Sequence, residues 1–152
     1  MNVLRIAAFS DGDTGGNPAG VLIAEELPSD VAMQGIAAEV GFSETAFASP
    51  AGNGWRVRYF SPESEVPFCG HATIALGAAL ALRNGDGVFP LTLNQAAITV
   101  EGRRHGKLIG AALQSPPTRS AAAPAQLVSA ALELFGYTQD DLDPSLPPAL
   151  AH

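Results

Sequence analysis

Short runs of alternating apolar and polar residues fill the first part of the chain. Val3 to Phe9 reads as a strand and Ala19 to Ala24 as another, with the Gly/Asp-rich loop Ser10 to Asn17 between them. A helix opens at Pro28-Ser29. Ser29 is a natural N-cap, Asp30 suits the first turn, and Gly41 closes the helix after its C-cap. Glu44 to Ala48 and Trp55 to Phe60 are predicted strands joined by a hairpin-like turn over Pro50 to Gly54. Trp55-Arg-Val-Arg-Tyr59 alternates strictly, which leaves one face of that strand wet.

Ala72 to Arg83 breaks the pattern. It carries no charge before its last residue and ends at Asn84-Gly85, which predicts a second helix. Ile74, Leu76, Leu80 and Leu82 do not fall on one stripe, and alanines and Gly77 fill the remaining positions. A helix that is small and apolar on every side is enclosed on every side. Sheet wrapped around it is the simplest enclosure. Val88 to Leu93, Ala97 to Glu101 and Lys107 to Leu113 supply further strands, with Gly102 to Gly106 as a hairpin turn. Residues 116–125 are linker-like. Gln126 to Phe135 is a third, amphipathic helix ended by Gly136, and the acidic, proline-rich stretch from Asp140 onward reads as fraying. The expectation is a single α+β domain over residues 1–152, a mixed or antiparallel sheet around a central apolar helix, with 116–125 as linker and 140–152 frayed.

Composition narrows the function. The chain is 47% hydrophobic and 15% charged, enough for a real core and apolar enough to suggest that a partner covers part of the surface. A net charge of −7 with only Arg103-Arg104 as an adjacent basic pair, expected in a solvated turn, argues against nucleic acid as a partner. The single cysteine excludes an internal disulfide and fits a reducing cytoplasm. No secretory signal is visible at the N-terminus, and the apolar run Ala72 to Leu82 falls far short of the roughly 20 residues a membrane span needs.

Candidate chemistry gathers where the apolar helix begins. Cys69-Gly70-His71 is polar and turn-forming and runs straight into it. Free amides and the macrodipole at such an end attract a carboxylate or phosphate. Gly70 permits close backbone approach, and Ala72 and Thr73 contribute N–H groups, so these three are candidate substrate-binding residues. His71 is a candidate for orienting a substrate or moving a proton near neutral pH; its plainer reading is a ring satisfied by a nearby carbonyl. Glu44 lies among Phe42, Ala46 and Phe47, where a carboxylate resists ionisation and suits general acid/base work; its plainer reading is a strand-edge carboxylate facing water. Asn17 belongs to the turn Asn17-Pro18-Ala19-Gly20, which shapes the start of a strand and offers a side chain to substrate. Cys69 is either a buried structural residue or a thiol activated by the helix end. His105 and His152 read as incidental. No His, Cys and carboxylate pattern has metal-ligand spacing, so neither a metal nor another cofactor is expected.

Three segments together resemble the phenazine-biosynthesis (PhzF-like) isomerase family, which has the diaminopimelate-epimerase-like fold. They are Gly16-Asn17-Pro18-Ala19-Gly20-Val21, Ser43-Glu44-Thr45-Ala46-Phe47, and Arg58-Tyr59-Phe60-Ser61-Pro62 continuing through Glu65-Val66-Pro67-Phe68-Cys69-Gly70-His71-Ala72-Thr73. The resemblance covers Met1 to about Leu113. It implies a fold with two similar halves and an active site between them, of which this chain resembles the first half. It further implies that Glu44 shuttles a proton, that no cofactor takes part, and that the substrate is a small carboxylated metabolite, a dihydro-hydroxyanthranilate in the best-known activity. The family's second half supplies an aspartate and a serine that match no position here. A second identical chain, forming a homodimer, or a separate polypeptide would then complete the cleft. Related epimerases place an acid/base cysteine where Cys69 stands, but use a second cysteine as well. The competing reading is a non-catalytic anion-binding or interaction module.

Overall fold

The computed structural model describes residues 2–12, 14–106 and 108–151. The chain divides into two compact units, Met1–Pro116 and Pro117–His152.

The larger unit is a mixed α+β fold in which a curled sheet wraps a central helix. Its strands are β1 (Leu4–Ala8), β2 (Asn17–Ile23), β3 (Thr45–Ala51), β4 (Gly54–Phe60), β5 (Glu65–Val66), β6 (Gly87–Thr92), β7 (Ala97–His105) and β8 (Leu108–Gln114). They form one eight-stranded sheet in the order β1-β2-β3-β4-β6-β7-β8, with the short β5 attached to β4. The pairs β2/β3 and β4/β6 are parallel and the rest antiparallel. Each parallel pair is bridged by a helix, as parallel pairing requires: α1 (Asp30–Val40) lies between β2 and β3, and α2 (Gly70–Asn84) between β4 and β6.

Helix α1 starts and stops where its sequence predicts. Ser29 Oγ accepts from the Ala32 amide at 3.3 Å, and Gly41, at φ 70°, sends its amide to the Ala37 carbonyl. It packs Met33 and Ala37 with Leu22, Phe47 and Phe60 on the outer side of the sheet. Helix α2 is the hub of the main core, where Ala72, Ala75, Leu76, Ala79 and Leu80 meet Val21, Ala46, Val57, Tyr59, Leu91 and Val100. The small residues of α2 are there because the sheet comes so close. A Cβ on Gly77 would lie 2.5 Å from Val100 Cγ2, and one on Gly102 would lie 2.4 Å from the Gly77 carbonyl oxygen.

That approach corrects two expectations. Gly102 is not the start of a turn: β7 continues through Arg103 and Arg104 to His105, paired with Leu108 to Ala111. The reversal is confined to the residues around Gly106, at φ 63°. Lys107, the predicted start of the last strand, lies outside the described residues. Arg103 and Arg104 are solvated but sit in the strand, held by Glu101 and Asp86. Helix α2 is also not enclosed on every side. The sheet begins at β1 and ends at β8, and among the described residues these edges do not pair with each other. A groove of about 790 Å³ runs between them, floored by Ile74, Ala78 and Leu82, and Leu82 is 55% exposed.

The smaller unit contains β9 (Ser120–Ala122), α3 (Ala125–Phe135), a single 3₁₀ turn at Gln139–Asp141 and β10 (Ala149–Ala151). Strands β9 and β10, from the stretches expected as linker and frayed end, pair antiparallel. Among the described residues no helix is long and apolar enough to cross a membrane.

Candidate active site

The N-terminus of α2 is launched by a short, braced segment. Arg58 on β4 donates from Nε and Nη2 to both carboxylate oxygens of Glu65 at 2.7 and 2.6 Å, and reaches Asp30 of α1 with Nη1. This fork ties β5 to β4, so the chain enters Val66-Pro67-Phe68 from a fixed point. Beneath the helix end lies a buried relay. Tyr59 Oη is 2.7 Å from Thr73 Oγ1, which donates to the Cys69 carbonyl oxygen at 2.7 Å; the Thr73 amide donates to the same oxygen at 3.0 Å. With the Thr73 proton committed, the Tyr59 hydroxyl is the donor in its own bond.

This relay changes the reading of Thr73. The residue is fully buried, and both its amide and hydroxyl are turned onto Cys69. It supports the helix end from below instead of offering a donor to a ligand. Gly70 is different: a Cβ built there meets nothing within 4 Å, so its flank is open. Ala72 is buried directly behind it.

Glu44 is fixed from the other side. It directly precedes β3, and its carbonyl oxygen accepts from the Gly20 amide at 3.2 Å. Gly20 pairs with Thr45, and a Cβ on Gly20 would lie 2.6 Å from Thr45 Oγ1. The glycine of the Asn-Pro-Ala-Gly segment therefore permits the close β2/β3 approach that positions Glu44. Asn17 is exposed at the start of the same strand, opposite Ala8.

These elements bring Glu44 and His71 together. Glu44 Oε2 is 3.5 Å from His71 Nε2, with the side chains 22% and 12% exposed. Ser43 Oγ lies 3.4 Å from the same nitrogen, and Cys69 Sγ lies 3.2 Å from Nδ1. Sequence reasoning gave Ser43 no role, although it stands next to Glu44.

Of the two readings of Cys69, its surroundings fit the buried residue and not the helix-activated thiol. Burial is the largest cause and pushes the thiol up to about 11; the Ala72 amide opposes that rise, and the neighbouring Glu44 carboxylate adds to it. The sulfur makes no capping hydrogen bond to the helix. At neutral pH it is a thiol, and a thiol facing Nδ1 leaves the ring proton of a neutral His71 on Nε2, toward Glu44 and Ser43. The fold also gathers Glu44, Cys69 and His71 into one three-ligand group, one ligand atom from each lying within 4.8 Å of the others, which the sequence spacing does not reveal.

The fold is thus a curled mixed sheet around a small-residue helix, with a carboxylate and an imidazole facing each other at the helix N-terminus. The family described as "Phenazine biosynthesis-like protein" matches residues 6–152, and the chain belongs to it. It is 35% identical over 150 residues to the uncharacterised isomerase YddE of Escherichia coli O157:H7, covering 95% of this chain and 50% of that protein. A solved phenazine biosynthesis protein of the PhzF family from Bacillus anthracis superposes with a TM-score of 0.77 at 27% identity, over 98% of this chain and 51% of that one. A structure described as a predicted epimerase from Pseudomonas aeruginosa superposes with a TM-score of 0.89 over 98% of this chain and 55% of that one; at 24% identity this likeness shows the fold alone. The chain spans about half the length of the full-length relatives it matches.

Proposed function

We propose that this chain provides one half of a cofactor-independent isomerase or epimerase that moves a proton on a small carboxylated metabolite. The observation that carries the reading is the 3.5 Å approach of Glu44 Oε2 to His71 Nε2 from two separate elements. Glu44 removes a proton from an acidified carbon and returns it elsewhere on the same molecule. His71, with its proton on Nε2, orients the substrate and stabilises charge developing on it. The open flank of Gly70 admits an anionic group to the N-terminus of α2, where the dipole and the amides at Gly70 and Ala72 favour it. Asn17 contacts the substrate from the start of β2. Thr73 contributes through the relay that holds Cys69.

The cleft is completed by a second half-domain, which a second copy of the chain or another polypeptide segment can supply. The free thiol of Cys69 suits the reducing conditions of the cytoplasm. The test is solvent exchange. In deuterium oxide the substrate carbon gains deuterium during turnover, and Glu44→Gln abolishes the gain; exchange retained in that variant rejects the assignment. A second reading is a non-catalytic anion-binding module, for which the open flank of Gly70 at the helix end suffices. It predicts carboxylate binding that Gly70→Val weakens, with no exchange under any condition.

A further inference from the structure

Glu44, Cys69 and His71 offer a carboxylate oxygen, a sulfur and an imidazole nitrogen within 4.8 Å of one another, each partly buried. Ligand atoms around a tetrahedral ion with bonds of about 2.0–2.3 Å stand roughly 3.3–3.8 Å apart. Cys69 Sγ is already 3.2 Å from His71 Nδ1, and Glu44 Oε2 stands 3.5 Å from the other ring nitrogen, Nε2. Closing the set on Nδ1 requires the Glu44 carboxylate to turn from Nε2 towards Cys69, a side-chain movement on a held backbone. That backbone is fixed by the Tyr59–Thr73–Cys69 relay on one side and by the Gly20–Glu44 bond on the other. The ligand chemistry is selective. Zinc accepts sulfur, imidazole and carboxylate together, whereas magnesium and calcium demand oxygen. An outer partner is also in place: with Nδ1 on a metal, Nε2–H points to Ser43 Oγ at 3.4 Å. Three protein ligands beside the open flank of Gly70 leave a fourth position for water or an anion.

The geometry points to a zinc site in which Glu44 Oε, Cys69 Sγ and His71 Nδ1 bind a single ion per chain with the fourth position open. As the ion enters, the Cys69 S–H bond breaks, the proton passes to solvent, and the sulfur–metal bond forms without any change of oxidation state. The ion occupies the carboxylate that the proposed proton transfer needs, so the loaded chain is inhibited. That consequence rests on the isomerase reading; the binding does not.

Cobalt(II), an optical stand-in for zinc, tests this on the full chain. A single equivalent should give a near-ultraviolet sulfur-to-cobalt charge-transfer band that one equivalent of zinc bleaches. Cys69→Ser and Cys69→Ala should both lose the band, and His71→Ala should weaken zinc binding by roughly 10–100-fold or more. His105→Ala, in the exposed end of β7, should change neither; circular dichroism checks that each variant is folded. Absence of the band in the unaltered chain, its survival in both Cys69 variants, or zinc affinity unmoved in His71→Ala overturns the site. A chain that binds zinc in this way but exchanges no proton even when metal-free loses the isomerase reading and keeps the site. Full proton exchange at saturating zinc removes Glu44 from the ligand set and overturns the site as stated.

Discussion

Tyr59 does more for the site than its burial suggests. Its hydroxyl holds Thr73, Thr73 holds the Cys69 carbonyl, and that carbonyl sets the first turn of α2 and with it the position of His71. Tyr59→Phe removes one buried donor and should cost about 1 kcal/mol, read as a shift in the urea midpoint with the slope unchanged. Thr73→Val is expected to cost about 2 kcal/mol, because it leaves the Tyr59 hydroxyl buried without a partner. The relay also sets an alkaline limit. Burial raises Tyr59 from its ordinary value of 10.0 to about 12, and burial raises Cys69 from 9.0 to about 11. A group whose folded pKa is raised contributes stability below its unfolded value and loses it as pH climbs to the folded one. Stability should therefore fall between about pH 9 and 12, first through Cys69 and then through Tyr59. Cys69→Ala should flatten the first part of that fall. Thiolate absorbance of the folded chain should rise with a midpoint near 11; a midpoint below 9.0 would mean that the helix end wins over burial.

At the scale of elements, what the sequence shows depends on whether the cause is local. The limits of α1 were legible because Ser29 and Gly41 act within one turn of themselves. The all-round small apolar surface of α2 likewise announces a helix inside a sheet. The continuation of β7 through Gly102 was not legible, because its cause is a contact with Gly77 on another element. The exposed face at Leu82 was hidden for a similar reason, since it follows from which strands end the sheet. Glycine substitutions separate the two kinds of cause. Gly35→Ala in α1 has free space around its Cβ and should stabilise by up to about 1 kcal/mol through helix propensity. Gly77→Ala in α2 gains the same propensity but drives its Cβ to 2.5 Å from Val100. Overpacking of this kind costs about 1–3 kcal/mol, so the net change should be destabilising. Thermal unfolding of the two variants side by side decides the matter: equal shifts in Tm would mean that α2 and β7 separate freely.

At the scale of the molecule, the question is how many chains make one proton-transfer pair. Glu44 and His71 were legible as separate candidates, each from its own motif, but their pairing is a property of the fold. It depends on Gly20 allowing β2 to close on β3 and on the Arg58–Glu65 fork directing β5 into α2. Ser43 and Thr73 show the same limit: one gains a role at the imidazole and the other turns inward, for reasons that lie across the sheet. Both members of the pair come from one chain at 3.5 Å, so an assembly of identical chains would carry a complete pair in each copy. Glu44→Gln and His71→Asn should each abolish or greatly reduce proton exchange. Mixing the two after joint unfolding and refolding should not restore it, because every chain in the mixture lacks one member of its own pair. Refolding either variant with an excess of unaltered chain should instead leave exchange in proportion to the unaltered chains, measured as deuterium gained per mole of those chains. Recovery in the first mixture would require Glu44 of one copy to work on His71 of another. The pair would then be shared between chains, and the single-chain geometry at the end of α2 would not be the working one.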